Sequence, residues 1–233
     1  MNFDIQNELC RLSERQRGAI SRLAQVGHLY PGQFEIGHTA VPSRRTLVRP
    51  EDLTIQIKYQ ELISSLKEKR RHLECLQTYA ERRFAHELAL ATAKDVHCAL
   101  WIGASCIDLF IPNVRSKGNG KRVMKGLAIE IDGDSHNYET KMRKDEVKGL
   151  MLKCIGIGQT SVANWDLNCI SVRNLIEQLK SLRPLDSRDR RRLWRRIQLL
   201  TLAAHLPDRE FFGMFTPPIG TRTPLVEPRE WVK

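Results

Sequence analysis

The chain has 233 residues, enough to bury one sizeable core, and is expected to form one domain with appendages. Its 41% hydrophobic and 28% charged residues make a soluble composition, and no apolar run is long enough to span a bilayer, which sets aside a helical membrane class. A formal net charge of +11 favours a polyanionic partner, nucleic acid ahead of a membrane, because no lipid-inserting face is visible.

The N-terminus, MNFDIQNELCRLSER, has early acids and no apolar h-region, so no signal peptide is read and the expected compartment is cytoplasmic. Cys10, Cys75, Cys98, Cys106, Cys154 and Cys169 contain no C-x-x-C pair. They read as reduced, small buried hydrophobes rather than zinc ligands. Residues 1–50 are expected to hold an N-terminal helix over 5–24, with Leu9, Leu12, Ile20 and Leu23 on one side and Ser13 as a cap, and then a basic loop with Arg44, Arg45 and Arg49. Residues 51–80 read as a helical stalk. Tyr59, Leu62, Leu66, Leu73, Leu76 and Ala80 recur on it at spacings of three and four, a stripe fit for a helical partner or for lying on the domain.

A core is expected over 79–183. The stalk helix or its continuation holds Glu81, Phe84, Glu87 and Leu88, and VHCALWIGASCIDLFIP then gives a strand over 96–101, a turn at Gly103 and a strand over 106–111. The second of these strands carries Asp108 amid apolar neighbours, where a charge needs a partner. A third strand, 126–131, leads into LAIEIDGDSH, and Glu130 and Asp132 share one face because side chains two apart on a strand point the same way. Three carboxylates at one hairpin edge repel unless a positive group sits between them, and a hard divalent cation held by oxygen is the usual solution at a catalytic site. The plainer alternative makes Asp132-Gly133-Asp134 a turn and Glu130 a solvated residue.

Between the last two strands, NVRSKGNGKRVMKG carries Arg115, Lys117, Lys121, Arg122 and Lys125, a basic hairpin placed to hold backbone phosphates or to protect a strand edge. Next comes a helix over 139–153 with Lys141, Arg143, Lys144, Asp145 and Lys148. The apolar CIGIGQTSV after it predicts a parallel strand reached by a β-α-β crossover, and a closing helix follows over 169–182.

The succession AERRFAHEL, CIDLFIP, LAIEIDGDSH, KDEVKGLMLK and CIGIGQTSV resembles the PD-(D/E)XK nuclease superfamily, closest to small very-short-patch-repair-endonuclease-like proteins, over about residues 79–182. The resemblance implies an α/β fold: a PD-(D/E)XK-like core of order α-β-β-β-α-β, a mixed sheet flanked by helices, with helical N- and C-terminal extensions. It further implies a metal-dependent endonuclease using Mg (or Mn), with Glu81, Asp108, Glu130 and Asp132 as ligands and Glu87 as the second choice on the helix. One departure stands out. The superfamily's strand lysine, which orients the attacking water and stabilises transition-state charge, is replaced here by Asp132. His136, Lys144 and Lys148 are the candidates to supply that role.

Residues 184–233 read as an arginine-rich amphipathic helix and a proline-rich tail. Leu193, Ile197, Leu200 and Ala204 follow one face, while Arg188, Arg190, Arg191, Arg192, Arg195 and Arg196 crowd the N-terminal half against the helix dipole, which a polyanion would relieve. The tail, from Phe211 through Pro217, Pro218, Pro224 and Pro228, is expected to be an extended arm. The favoured function is hydrolysis of phosphodiester bonds, in DNA ahead of RNA. The alternative is a catalytically inactive nucleic-acid-binding or scaffold protein on the same fold, for which Asp132 in place of lysine speaks. A protein partner would use the 59–80 stripe or the proline-rich tail.

Overall fold

The computed structural model describes residues 12–29, 50–72, 79–117, 123–132, 139–163 and 170–215. Within them a mixed sheet of five strands is flanked by helices on both faces. Helix α1 (Glu14–Leu29) opens on Ser13. The Ser13 N–H donates to Gln16 Oε1 at 3.1 Å and the Gln16 N–H donates to Ser13 Oγ at 3.2 Å, the reciprocal pattern of a capping box. Of the helix expected over 5–24, positions 5–11 lie outside the described residues.

Helix α2 (Pro50–His72) turns Ile55, Tyr59, Ile63 and Leu66 inward. The expected stripe, as far as it is described, is therefore spent on the protein's own core, and Leu53 and Ile57 are the apolar residues left exposed. Helix α3 (Tyr79–Thr92) carries Glu81. After it come β1 (His97–Ile102), β2 (Ser105–Lys117) and β3 (Val123–Asp132), an antiparallel meander. Gly103, with φ +60°, makes the first turn, and a Cβ there would meet Met151 Sδ at 2.5 Å, so a side chain would be strained and would have to displace Met151. The second and third strands outrun the apolar stretches that announce them, because Ser116↔Met124 and Lys117↔Val123 continue the ladder in polar sequence.

Helix α4 (Glu139–Cys154) crosses to β4 (Gly158–Ala163), which pairs parallel with β3 from Leu127↔Gly158 to Asp132↔Ala163. The predicted crossover is thus present. Helix α5 (Ile170–Ser181) leads to β5 (Arg183–Pro184), which pairs with β2 at Val114 and Arg115, where the β2–β3 register shifts. Helices α6 (Ser187–His205) and α7 (Asp208–Gly213) complete the described chain.

Alternation along the strands divides the core. Phe110 and Ala128 face α2, α4 and α6 through Tyr59, Met151, Leu152, Leu193 and Ile197. Leu109, Ile111 and Ile129 face Phe84, Ala85 and Leu88 of α3 and Val172 and Leu179 of α5. The apolar face predicted for α6 is buried at Leu193, Ile197, Leu200 and Ala204, so this helix is a wall of the core. Its C-terminal carbonyls, orphaned by helix geometry, are taken up by α1: Arg15 Nε donates to Ala204 O at 2.6 Å and Arg22 Nη2 to Ala203 O at 2.9 Å. One expectation is corrected here. Phe211 does not begin an extended arm but lies fully buried in α7, with the Phe212 and Phe215 rings edge-on to it, because three phenylalanines so close together bury more apolar area folded back than extended. The four tail prolines lie outside the described residues. Among the described residues no helix is long and apolar enough to cross a membrane.

Candidate functional site

Beyond the register shift, the β2–β3 ladder runs from Pro112↔Gly126 to Leu109↔Ile129 and ends on that side. The next residues in register are Asp108 and Glu130. Instead of a strand-to-strand backbone bond, the Ile131 N–H donates to Asp108 Oδ2 at 3.0 Å, so a side chain takes the place of the neighbouring strand and the two strands part. Strand β3 keeps its parallel partner on the other side, through Glu130↔Ser161 and Ile131↔Val162. The β1–β2 pairing also breaks at this level: Cys98↔Leu109 and Leu100↔Ile107 are paired, while Ala99, across from Asp108, is skipped and has φ +53°. A left-handed conformation costs a residue with a Cβ about 1–2 kcal/mol. Ala99 is one of two non-glycine residues at positive φ among the described residues, the other being Ala93 after α3.

By the two-residue repeat of a strand, Asp108 and Glu130 lie on the face of Phe110 and Ala128, toward α4. Helix α4 answers with Lys148, one turn before Leu152. Lys148 Nζ is 2.8 Å from Glu130 Oε2 and 3.2 Å from Asp145 Oδ1, and its side chain is only 12% exposed. The other Glu130 oxygen, Oε1, is buried and meets no donor. Burial first, and the Asp108 carboxyl beside it next, push Glu130 up to about 7 against the pull of Lys148. Burial works against the Lys148 charge as well, yet Glu130 and Asp145 outweigh it and hold its pKa above the ordinary lysine value. The result is a crowded acid pair with one cation on its α4 side.

Of the residues singled out from sequence, the structure brings Asp108, Glu130 and Lys148 together. Glu81 lies half-buried on α3. Helix α3 packs on the opposite face of the sheet, and among the described residues no three His, Cys, Asp or Glu side chains converge. Glu87 pairs with Arg83 at 2.8 Å. The side chains of Lys117, Asp132 and Lys144, and the whole of Lys121, Arg122 and His136, lie outside the described residues.

Arg115 and Lys125, expected at phosphates, both reach Asp189 on α6, each at 2.7 Å. Asp189 is itself 8% exposed, and its N–H is capped by Asp186 Oδ1 at 2.7 Å. These two cations therefore staple α6 to the hairpin. Farther along the helix Arg190, Arg191 and Arg196 are exposed, with Arg188, Arg192 and Arg195 half-buried. Sequence reasoning missed Asp189, which stands alone in a run of arginines, and it missed Arg70. Arg70 Nη1 donates to Cys106 Sγ at 2.8 Å, two residues before Asp108. The available signal for Arg70 is spacing: it falls four residues after Leu66, on the inward stripe of α2.

Compared with family models, curated proteins and solved structures, the chain gives no match. The local chemistry must therefore speak for itself. Asp108 and Glu130, the second with a buried oxygen that meets no donor, are the described side chains that could hold a hard cation, though among the described residues no group of three or more such side chains is found.

Proposed function

We propose that the protein is a metal-dependent endonuclease of the PD-(D/E)XK type, hydrolysing phosphodiester bonds in nucleic acid, DNA ahead of RNA. The observation that carries this reading is the Asp108–Glu130 pair at the fork of β2 and β3 with Lys148 on it. Support also comes from the α-β-β-β-α-β order with a parallel last strand, and from the net charge of +11.

In this reading Asp108 and Glu130 hold the ion, with Asp132 as a further oxygen donor. When bound, Mg²⁺ there supplies charge neutralisation at the phosphate and a water acidified toward neutral pH. The protein's own side chains do the rest. Asp108 is pre-oriented by the Ile131 N–H, which lowers the side-chain entropy its carboxylate loses on binding an ion. Lys148, on a rigid helix and almost buried, is placed to orient the attacking water and to stabilise negative charge on the phosphate, the role left vacant by Asp132. His136 and Lys144 are the further candidates for proton transfer. The exposed arginines of α6 contact the backbone away from the cut.

The test is purified protein with supercoiled plasmid and Mg²⁺ or Mn²⁺. Nicking that Asp108→Ala abolishes supports the proposal; no cleavage by the wild type with either metal defeats it. A second reading, a nucleic-acid-binding protein that has lost catalysis, draws on Asp132 in place of lysine and on there being, among the described residues, no group of three or more His, Cys, Asp or Glu that could hold a metal ion. It predicts binding without cutting, unchanged by Asp108→Ala.

A further inference from the structure

Strand β5 pairs with β2 through Val114↔Pro184 and Arg115↔Arg183, which sets two arginines opposite each other. Residues opposite in an antiparallel pair point to the same face with Cβ atoms about 5 Å apart, and like charges there are destabilising. Arg115 has its compensation: it reaches Asp189 at 2.7 Å and stands 4.0 Å from Asp186. Lys125 takes the other Asp189 oxygen at 2.7 Å. The two acids of this corner thus already face Arg115 and Lys125. Arg183 is exposed, and among the described residues no side-chain hydrogen bond or ion pair engages it.

Further positive charge converges on the same corner. Lys94 Nζ donates to Leu182 O at 3.3 Å, so its ammonium stands beside the residue that precedes Arg183, and a carbonyl takes that bond without cancelling the charge. Asp95, next along the chain, makes no ion pair with these cations. Arg190 and Arg191 are exposed in the first turns of α6, Arg190 one turn after Asp186. Arg188 is half-buried and already engaged within the protein. Cations at the N-terminal end of a helix oppose its macrodipole. The arginine pair across β2 and β5 and the arginines at the start of α6 are therefore two separate electrostatic costs at one place, and one polyanion relieves both. A nucleic-acid strand suits it, because its phosphates repeat about every 3.4 Å of helix axis and each fits the planar fork of a guanidinium.

We propose that Arg183 is a phosphate contact, and that β5 and the start of α6 form one surface, Arg183 with Arg190 and Arg191, along which a nucleic-acid backbone lies. Arg115, Lys125 and Asp189 hold that surface rigid by tying α6 to the hairpin. The inference rests on the nucleic-acid reading above and extends it from the α6 arginines to the edge of the sheet.

The test is binding of duplex DNA by the full chain in EDTA, where no cleavage is needed, measured from about 50 to about 200 mM salt. Each phosphate contact adds roughly 0.9 to the slope of log K against log salt, which over that range is about a 3.5-fold loss of affinity. Arg183→Gln flattens the slope by about one contact, and Arg183→Lys retains it. Arg173→Gln, which removes an exposed arginine from α5 on the opposite face of the sheet, leaves the slope unmoved. A slope unchanged in Arg183→Gln, or lowered equally in Arg173→Gln, overturns the role of Arg183 and leaves the nucleic-acid reading standing. No salt-dependent binding by the wild type sinks that reading and this inference with it. Should Arg183→Gln fail to fold, the wild type decides: duplex DNA shields Arg183 from phenylglyoxal, mapped by mass spectrometry, and equal modification with and without DNA overturns the proposal.

Discussion

Replacing Glu130 by glutamine keeps the shape of a residue that is 7% exposed and removes its titration. Burial, with the Asp108 carboxyl alongside, raises the Glu130 pKa from 4.5 to about 7. Because the folded state then holds this proton more tightly than the unfolded chain does, folding is favoured by acid. The contribution is fully present below 4.5 and is lost as pH rises through about 7. At about 1.36 kcal/mol per unit, the span is worth on the order of 3 kcal/mol, most of it falling between pH 5 and pH 8. Glu130→Gln carries no such loss, so its stability relative to wild type should rise by roughly 2–3 kcal/mol from pH 5 to pH 8, or on the order of 5–10 °C in Tm for a chain of this size. Thermal and urea melts of both proteins in EDTA supply the double difference, in which the titrating groups that do not touch Glu130 cancel. Parallel pH curves for the two proteins would refute the argument that Glu130 is a destabilised buried acid.

Three further outcomes are expected. Mn²⁺ or Mg²⁺ at about ten times its Kd should stabilise the wild type by about 1.4 kcal/mol and leave Asp108→Asn and Glu130→Gln unmoved, read as thermal shifts; equal shifts in all three place the ion elsewhere. Gly103→Ala puts a Cβ 2.5 Å from Met151 Sδ at φ +60°. It should cost roughly 2–5 kcal/mol by strain and overpacking, seen as a Tm lowered by the order of 10 °C. Asp189→Asn leaves Arg115 and Lys125 facing an amide and should destabilise by about 1–3 kcal/mol at neutral pH. Lys125 and then Arg115 hold the Asp189 carboxyl below its ordinary value of 3.8, so that stability is present above this value and fades as pH falls below it. Denaturation curves at pH 7 and pH 3 should therefore show the Asp189→Asn penalty shrinking in acid.

What was legible in the sequence followed from local rules. Apolar runs and the Gly103 turn announced β1 to β3, and a short apolar run after a helix announced the parallel β4, because period and turn chemistry are written in neighbouring residues. Asp108 and Glu130 were legible as charges in apolar strands. Lys148 stood among three candidates that sequence could not separate, since the choice depends on which side of α4 meets β3. The face of the sheet on which α3 packs was not legible either, because face assignment is a tertiary fact. Arg70 and Asp189 were illegible because each looks like one more charge on a charged helix until a distant partner is known, Cys106 in one case and Arg115 with Lys125 in the other.

The fork itself argues for a use of the acid pair. In an unbroken antiparallel ladder Asp108 and Glu130 would stand directly opposite each other with Cβ atoms about 5 Å apart, a destabilising arrangement for like charges. The chain does not escape by using Asn, Gln or an aliphatic residue at either position, any of which would let the ladder continue. It gives up strand pairing beyond Leu109↔Ile129, holds Ala99 at positive φ, buries Lys148 and leaves Glu130 Oε1 without a donor. Each of these is a stability loss that a single substitution would recover, and proteins drift toward such substitutions where nothing opposes them. A pair of carboxylates held against that pressure, beside Lys148, is what the proposed metal-binding role would account for.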